Sequence, residues 1–153
     1  MRARGVVSFI GAVAVLCAGM ELFHPAARGS ENQPVSIEGA NMPIDVSEIF
    51  ARACQDCHSN QTVWPWYSRV PPMSMLIAKD VDEGRAFMNI SNWSTYSKGR
   101  KRGYLASIAS AAATGEMPPR RYTLIHGEAR LSDADRKKIA DWAAAEMARL
   151  SHR

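Results

Sequence analysis

Two cysteines and a histidine lie close together in the stretch Cys54-Gln55-Asp56-Cys57-His58, which forms a C-x-x-C-H motif. Thiols at this spacing, followed at once by a histidine, are typical of c-type haem attachment, in which each cysteine adds across one haem vinyl group to form a thioether. The adjoining imidazole is then placed to bind the iron as its proximal ligand. The motif therefore predicts one haem c bound through Cys54 and Cys57, with His58 on the iron.

The same cysteine spacing also occurs in thiol–disulfide redox motifs and in zinc sites. A redox C-x-x-C does not need the histidine and is expected beside a βαβ pattern. A zinc site needs a fourth ligand, usually from a second C-x-x-C or an H-x-x-x-H, and neither occurs in the sequence. The only further cysteine is Cys17 in an N-terminal apolar run, so a disulfide framework is excluded apart from a bridge between Cys54 and Cys57.

The other axial position of the iron requires a second ligand, and Met117 is the main candidate. Pro118 and Pro119 follow it and force an extended chain, which fixes the direction in which the thioether projects. The commoner fate of a methionine is to fill space in a core. His126 is the competing ligand, because imidazole also binds haem iron. The sequence favours Met117 and leaves His126 open.

Apolar residues at helical spacing surround these candidates, and no strand-like alternation is evident. The spacing predicts helices over about 46–56, 72–88 and 99–114. Ser47 or Asp45 is expected to cap the first of them. The predicted fold class is therefore all-α.

A last helix and an aromatic loop complete the predicted domain. Ser132 and Asp135 form a capping-box pattern, and apolar residues at spacings of three and four follow as far as Leu150. The stretch Trp64-Pro65-Trp66-Tyr67 predicts an ordered loop, because proline is not tolerated inside a long helix. Its rings are expected to cover an edge or face of the porphyrin, or else to serve as ordinary core aromatics. Gly84 weakens the second half of the helix predicted over 72–88.

Length and charge bound the class of protein. The 153 residues suffice for one domain with a modest core, and the net charge of +4 is too mild to argue for a nucleic-acid partner. The expected organisation is a signal peptide or uncleaved membrane anchor over 1–27, a linker over 28–43 and a haem-binding domain over 44–153.

The N-terminus indicates export. Arg2 and Arg4 precede an apolar run from Gly5 to Met20, which is the pattern of a signal sequence. The cleavage site is poor, and the run reaches Phe23 if Glu21 sits at the membrane interface, which is just long enough to span a bilayer. An uncleaved N-terminal anchor helix is therefore favoured. Because the positive flank stays inside, the domain is expected in the periplasm or on the outer side of the cytoplasmic membrane.

The densest positive patch is Lys98-Gly99-Arg100-Lys101-Arg102, at the predicted start of the 99–114 helix. Cations at a helix N-terminus oppose the helix dipole, which favours some external reason for them. The patch is suited to docking an acidic redox partner or touching anionic lipid. The alternative is a solvated helix end with no partner.

Together these pieces resemble the exported haem-binding domain family related to cytochrome c, over about 44–150. The matching stretches are Cys54-Gln55-Asp56-Cys57-His58-Ser59-Asn60, Trp64-Pro65-Trp66-Tyr67-Ser68, Asp80-Val81-Asp82-Glu83-Gly84-Arg85, Met117-Pro118-Pro119-Arg120-Arg121-Tyr122 and Leu131-Ser132-Asp133-Ala134-Asp135-Arg136. The resemblance implies a small cytochrome c-like helical domain around one haem c, with Cys54 and Cys57 as attachment points and His58 as proximal ligand. By analogy with cytochromes that carry a Met-Pro-Pro element, it implies Met117 as the distal ligand.

A haem with both axial positions filled predicts one-electron transfer outside the cytoplasmic membrane, with a redox partner that the sequence does not identify. Two alternatives stay open. In a redox or gas sensor, Met117 would leave the iron on reduction or on ligand binding. In a small haem peroxidase, the sixth site would be vacant and His126 or Glu116 would act as the acid–base group. The sequence favours an electron carrier over a catalyst.

Overall fold

The structure is a computed structural model that describes Ile37 and residues 39–152. Its α-helices are α1 (Ile44–Ala53), α2 (Gln55–His58), α3 (Met73–Phe87), α4 (Lys98–Thr114), α5 (Arg120–Ile125) and α6 (Asp133–Ser151). Three short 3-10 helices separate them: η1 (Trp66–Arg69), η2 (Ile90–Thr95) and η3 (Gly127–Ala129). The described part of the chain contains no β-strand, so the all-α prediction is confirmed.

The core joins α1, α4, α6 and the segment that follows α3. Its fully or nearly buried side chains include Phe50, Leu105, Ile139, Trp142, Met88, Ile90 and Trp93. The rings of Phe50 and Trp142 meet edge to face with centroids 5.3 Å apart, which links α1 to α6. Burial of each such side chain contributes about 1.5–3 kcal/mol to folding. This core fixes the frame on which α2 and α3 hold the motif.

Helix α6 follows the sequence most closely. The Ser132 hydroxyl accepts a hydrogen bond from the Asp135 N–H at 3.1 Å, and the Asp135 carboxylate accepts one from the Ser132 N–H at 2.9 Å. The predicted capping box is therefore confirmed. Asp135 also forms an ion pair with Arg52 of α1 at 2.8 Å. Burial raises the pKa of Asp135, but hydrogen bonds from Ser132 and Arg52 outweigh it and lower that pKa to about 2.

The start of α1 differs from the prediction, since the helix begins at Ile44 and neither Ser47 nor Asp45 caps it. Pro43 occupies the N-cap position with φ −61°, a value close to the helical one. Asp45 lies in the first turn, where the positive end of the helix dipole stabilises its carboxylate. The expectation of one helix over 46–56 is also wrong. The helical conformation is interrupted at Cys54, whose φ is −126°, before α2 begins.

Part of the predicted linker packs on the domain. Ile37 is buried in the core, and the carbonyl oxygens of Asn41 and Gly39 accept hydrogen bonds from Trp142 and Arg149 of α6. The predicted anchor or signal over 1–27, and most of the linker, lie outside the described residues. Among the helices that the structure describes, none combines the length and apolar character needed to span a bilayer.

Candidate cofactor site

The C-x-x-C-H residues lie at the break between α1 and α2. Cys54 stands at the break, and Cys57 and His58 form the end of the single turn of α2. Both thiols are free, and burial raises the pKa of Cys54 to about 12 and that of Cys57 to about 11. Reactive redox thiols have a lowered pKa instead. The raised pKa values of the two thiols thus give no support to a thiol–disulfide function.

The imidazole of His58 is oriented by the backbone that follows α3. Its Nδ1 lies 3.1 Å from the carbonyl oxygen of Met88. Because a carbonyl oxygen only accepts, Nδ1 must carry the proton and donate it. The lone pair of a neutral imidazole is then on Nε2, which has no hydrogen-bond partner in the described part of the chain. This arrangement of a histidine is the one that metal-binding sites use to fix the ligand ring.

Helix α3 crosses the motif so closely that only glycine fits at position 84. A Cβ at Gly84 would lie 2.5 Å from the carbonyl oxygen of Cys57, well inside contact distance. The next residue, Arg85, donates to the carbonyl oxygen of Ser59 at 2.7 Å and to the hydroxyl of Thr62 at 2.8 Å. These contacts clamp the loop after the motif against α3. Local sequence spacing carried no sign of this clamp.

An apolar groove runs beside Cys57, between α3, α5 and the loop that follows the motif. Its lining includes Cys57, Val63, Tyr67, Leu76, Ile77, Val81, Tyr122, Ile125 and His126. From the predicted aromatic loop, Tyr67 reaches this groove, whereas Trp66 is 79 % exposed. Of the predicted site residues, Cys57 and the competing ligand His126 therefore share a groove. Cys54, His58 and Met117 are not among its lining residues.

A hydrogen-bonded network ties His126 into the groove. Its Nδ1 donates to the Glu128 carboxylate at 3.1 Å, so its Nε2 accepts from the Tyr67 hydroxyl at 2.5 Å. The ring stacks on Tyr122 with centroids 4.3 Å apart, and the Tyr122 hydroxyl donates to Asp56 at 2.8 Å. Both nitrogens of His126 are thus engaged. Sequence reasoning singled out His126 but not Tyr122 or Asp56, whose pairing joins positions 66 residues apart.

Met117 lies on the loop between α4 and α5. Helix α4 ends at Gly115 in the left-handed conformation (φ 73°), which a glycine adopts without strain. The Met117 N–H then donates to the carbonyl oxygen of Ala111 at 3.2 Å, and the side chain is 42 % exposed. The structure therefore anchors the backbone of this residue and leaves the residue partly exposed.

These residues fit a haem group. His58 presents Nε2, two free thiols precede it at the required spacing, and an apolar groove adjoins Cys57. The indole nitrogens of Trp64 and Trp93 are both buried without a hydrogen-bond partner among the described residues, although a buried N–H normally finds an acceptor. Trp93 lies in the core and neither indole lines the groove, so these two nitrogens do not bear on the fit. No group of three or more His, Cys, Asp and Glu residues within the described ranges is arranged to hold a bare metal ion.

Comparison with known proteins adds an independent finding. The chain matches the family model described as a haem-binding domain over residues 14–145, which is most of its length. A search of curated proteins finds no match. A search of solved structures finds none either.

Proposed function

The chain belongs to the haem-binding domain family, and from this premise we propose that it is a monohaem c-type cytochrome that transfers single electrons. In this proposal Cys54 and Cys57 hold one haem c through two thioethers, His58 is the proximal ligand and Met117 is the distal ligand. A haem ligated in this way changes oxidation state by one electron with little rearrangement, and the methionine raises its reduction potential. The described helices would form a small cytochrome c-like domain around it.

The observation that carries the proposal is the hydrogen bond from His58 Nδ1 to the Met88 carbonyl oxygen. It sets the tautomer, holds the ring still and leaves Nε2 available to iron. Neither a disulfide-exchange motif nor an inert surface histidine needs such a bond. Arg85 and Gly84 help to maintain this hydrogen bond, because they keep α3 in contact with the motif.

The choice of Met117 over His126 rests on the state of the two donor atoms. His126 Nε2 already accepts a hydrogen bond from Tyr67, and its ring is held between Glu128 and Tyr122. Binding iron through that nitrogen would break the hydrogen bond to Tyr67. Met117 has its backbone anchored and is 42 % exposed, and its thioether has no hydrogen bond among the described residues that binding iron would break.

We place the domain outside the cytoplasmic membrane. The support is the N-terminal sequence, in which Arg2 and Arg4 precede the apolar run Gly5 to Met20. In this proposal the run stays attached as a membrane anchor, and haem attachment to C-x-x-C-H and electron exchange with a redox partner both occur on the outer side.

A small haem peroxidase is the second candidate. The network of Glu128, His126 and Tyr67 favours it, because peroxidase chemistry needs a held acid–base group beside the iron. It also needs a sixth position that is open to the substrate. The two functions therefore differ in whether Met117 occupies that position.

Absorption spectra of the ferric and ferrous protein, recorded with and without carbon monoxide, separate these functions. An electron carrier with both axial positions filled is expected to be low-spin in both states and to show no shift on addition of carbon monoxide. A high-spin ferric spectrum with ready binding of carbon monoxide would reject the electron-transfer proposal and show the open sixth position that a peroxidase requires.

A further inference from the structure

An uncompensated positive surface lies at the start of α4. We define the basic surface as Lys98, Arg100, Lys101 and Arg102. Three of these residues are exposed, the first turn of α4 holds no acidic residue, and none of the four forms an ion pair in the described part of the chain. Elsewhere exposed lysines do pair, as Lys79 does with Glu83 and Lys137 with Asp141.

Folding does not explain this concentration of charge. Four cations repel one another, and at the N-terminal end of a helix they also oppose the helix dipole. Such an arrangement is retained at a cost of stability unless an external anionic partner compensates it. The exposed neighbours on the preceding segment, Ser94, Thr95 and Ser97, are small and polar. A membrane-binding helix sets a broad apolar face beside its cations, whereas the aromatic cluster that adjoins this surface exposes a single large apolar side chain, Phe87, so the composition favours a protein partner.

An aromatic cluster lies directly beneath the basic surface. The guanidinium of Arg100 stands 5.9 Å from the ring centroid of Tyr96, within the range of a cation–π interaction. Tyr96 meets the ring of Tyr104 at 5.1 Å, and Tyr104 meets Phe87 at 5.8 Å. Phe87 is the residue before Met88, whose carbonyl oxygen orients His58. The basic surface and the proposed iron ligand are therefore connected through the protein.

The connection passes through a single peptide group. The carbonyl oxygen of the Met88–Asn89 peptide accepts the hydrogen bond from His58 Nδ1 at 3.1 Å. The N–H of the same peptide donates to the Tyr96 hydroxyl at 3.1 Å. Two hydrogen bonds and one conjugated amide thus join the imidazole to a ring that lies under Arg100.

We propose that the basic surface docks the acidic face of a one-electron carrier protein, and that Tyr96 and the Met88–Asn89 peptide form the electron route from that interface to His58. This inference rests on the proposed function. In each encounter one electron leaves the reduced protein and enters the oxidised carrier. No covalent bond forms or breaks and no proton is transferred.

Docking is tested with plastocyanin, a small acidic copper carrier, as the probe. The variant R100E/R102E reverses two charges of the basic surface, and K79E/K137E is the control with the same change in net charge at two weakly held surface pairs. At low ionic strength, stopped-flow mixing of the reduced holoprotein with cupric plastocyanin is expected to show a second-order rate constant about tenfold lower for R100E/R102E. The control is expected to change by less than about twofold, and titration calorimetry is expected to show the same order of affinities. Equal rates in the two variants would overturn the docking site.

The route is tested separately at saturating plastocyanin, where the limiting rate does not depend on affinity. Tyr96→Phe removes the hydroxyl that accepts from the Asn89 N–H and donates to the Asn89 carbonyl oxygen, whereas Tyr104→Phe removes a hydroxyl that has no hydrogen-bond partner among the described residues. We expect a several-fold lower limiting rate for Tyr96→Phe alone, with unchanged calorimetric affinity. The same limiting rate in both variants would overturn the route.

Two measurements keep this inference distinct from the proposed function. If the wild-type protein shows no low-spin haem spectrum, the proposed function itself is wrong. If that spectrum is intact and R100E/R102E exchanges electrons as the wild type does, only the docking inference is wrong. Sedimentation with phosphatidylglycerol vesicles tests the lipid alternative. Vesicle binding that R100E/R102E abolishes, with plastocyanin kinetics unchanged, would assign the basic surface to the membrane.

Discussion

His58 and His126 are both held through Nδ1, which donates to the Met88 carbonyl oxygen in the first case and to the Glu128 carboxylate in the second. At Nε2 they differ. That of His58 has no hydrogen-bond partner in the described part of the chain, while that of His126 accepts from the Tyr67 hydroxyl. The fold thus leaves Nε2 of His58 available to a metal and engages Nε2 of His126 in a protein network. The comparison shows that hydrogen bonding, and not residue type, separates a candidate ligand from its neighbour.

The largest effect is expected when the two cysteines proposed to attach the haem are removed. In the double variant Cys54→Ala, Cys57→Ala, no thiol remains to form a thioether, so haem should no longer stay with the polypeptide after denaturation. Intact mass and haem staining on a denaturing gel measure this. Cys17→Ala is the matched control and should retain the haem. Haem that survives denaturation in the double variant would show that attachment occurs elsewhere.

The next largest effect, on the free energy of unfolding, is expected at the close contact between Gly84 of α3 and the Cys57 backbone. Gly84→Ala would place a Cβ against the Cys57 backbone, and we expect a loss of about 1–3 kcal/mol in the free energy of unfolding. Gly103→Ala, in α4, meets no atom within 4 Å and should instead raise that free energy by about 0.5–1 kcal/mol. Urea unfolding compares the two. An unaffected Gly84→Ala protein would show that α3 does not press on the motif.

The sequence predicted the parts of this contact but not the contact itself. C-x-x-C-H, the all-α class and the capping box of α6 each depend on neighbours within a few residues, which is why they were predictable. The helical pattern marked Gly84 only as a weak point, because the atoms that exclude a side chain there belong to Cys57 on another helix. Helix α5 was missed, since none of its residues is fully buried and its pattern is correspondingly faint. The break at Cys54 was missed for a similar reason: helical spacing on both sides of it is uninterrupted.

The smallest effect is expected at Asp135 of α6, away from both histidines. The pKa of Asp135 is about 2 in the folded protein, below its ordinary value of 3.8, so its ionised form stabilises the fold above about pH 4. That contribution is lost as the pH falls from about 4 through 2. Asp135→Asn should therefore be less stable than the wild type at pH 7, and the difference should shrink across that range. Thermal unfolding at several pH values measures it, and a constant difference would contradict the assignment.

The methionine–iron charge-transfer band of the ferric protein tests the central claim most directly, because it reports the sixth ligand. We predict the band in the wild type and its loss in Met117→Ala. Met75→Ala, which changes another exposed methionine, and His126→Gln should both keep it. A band that persists in Met117→Ala, or a wild-type protein that lacks the band and whose spectrum changes only in His126→Gln, would contradict the account.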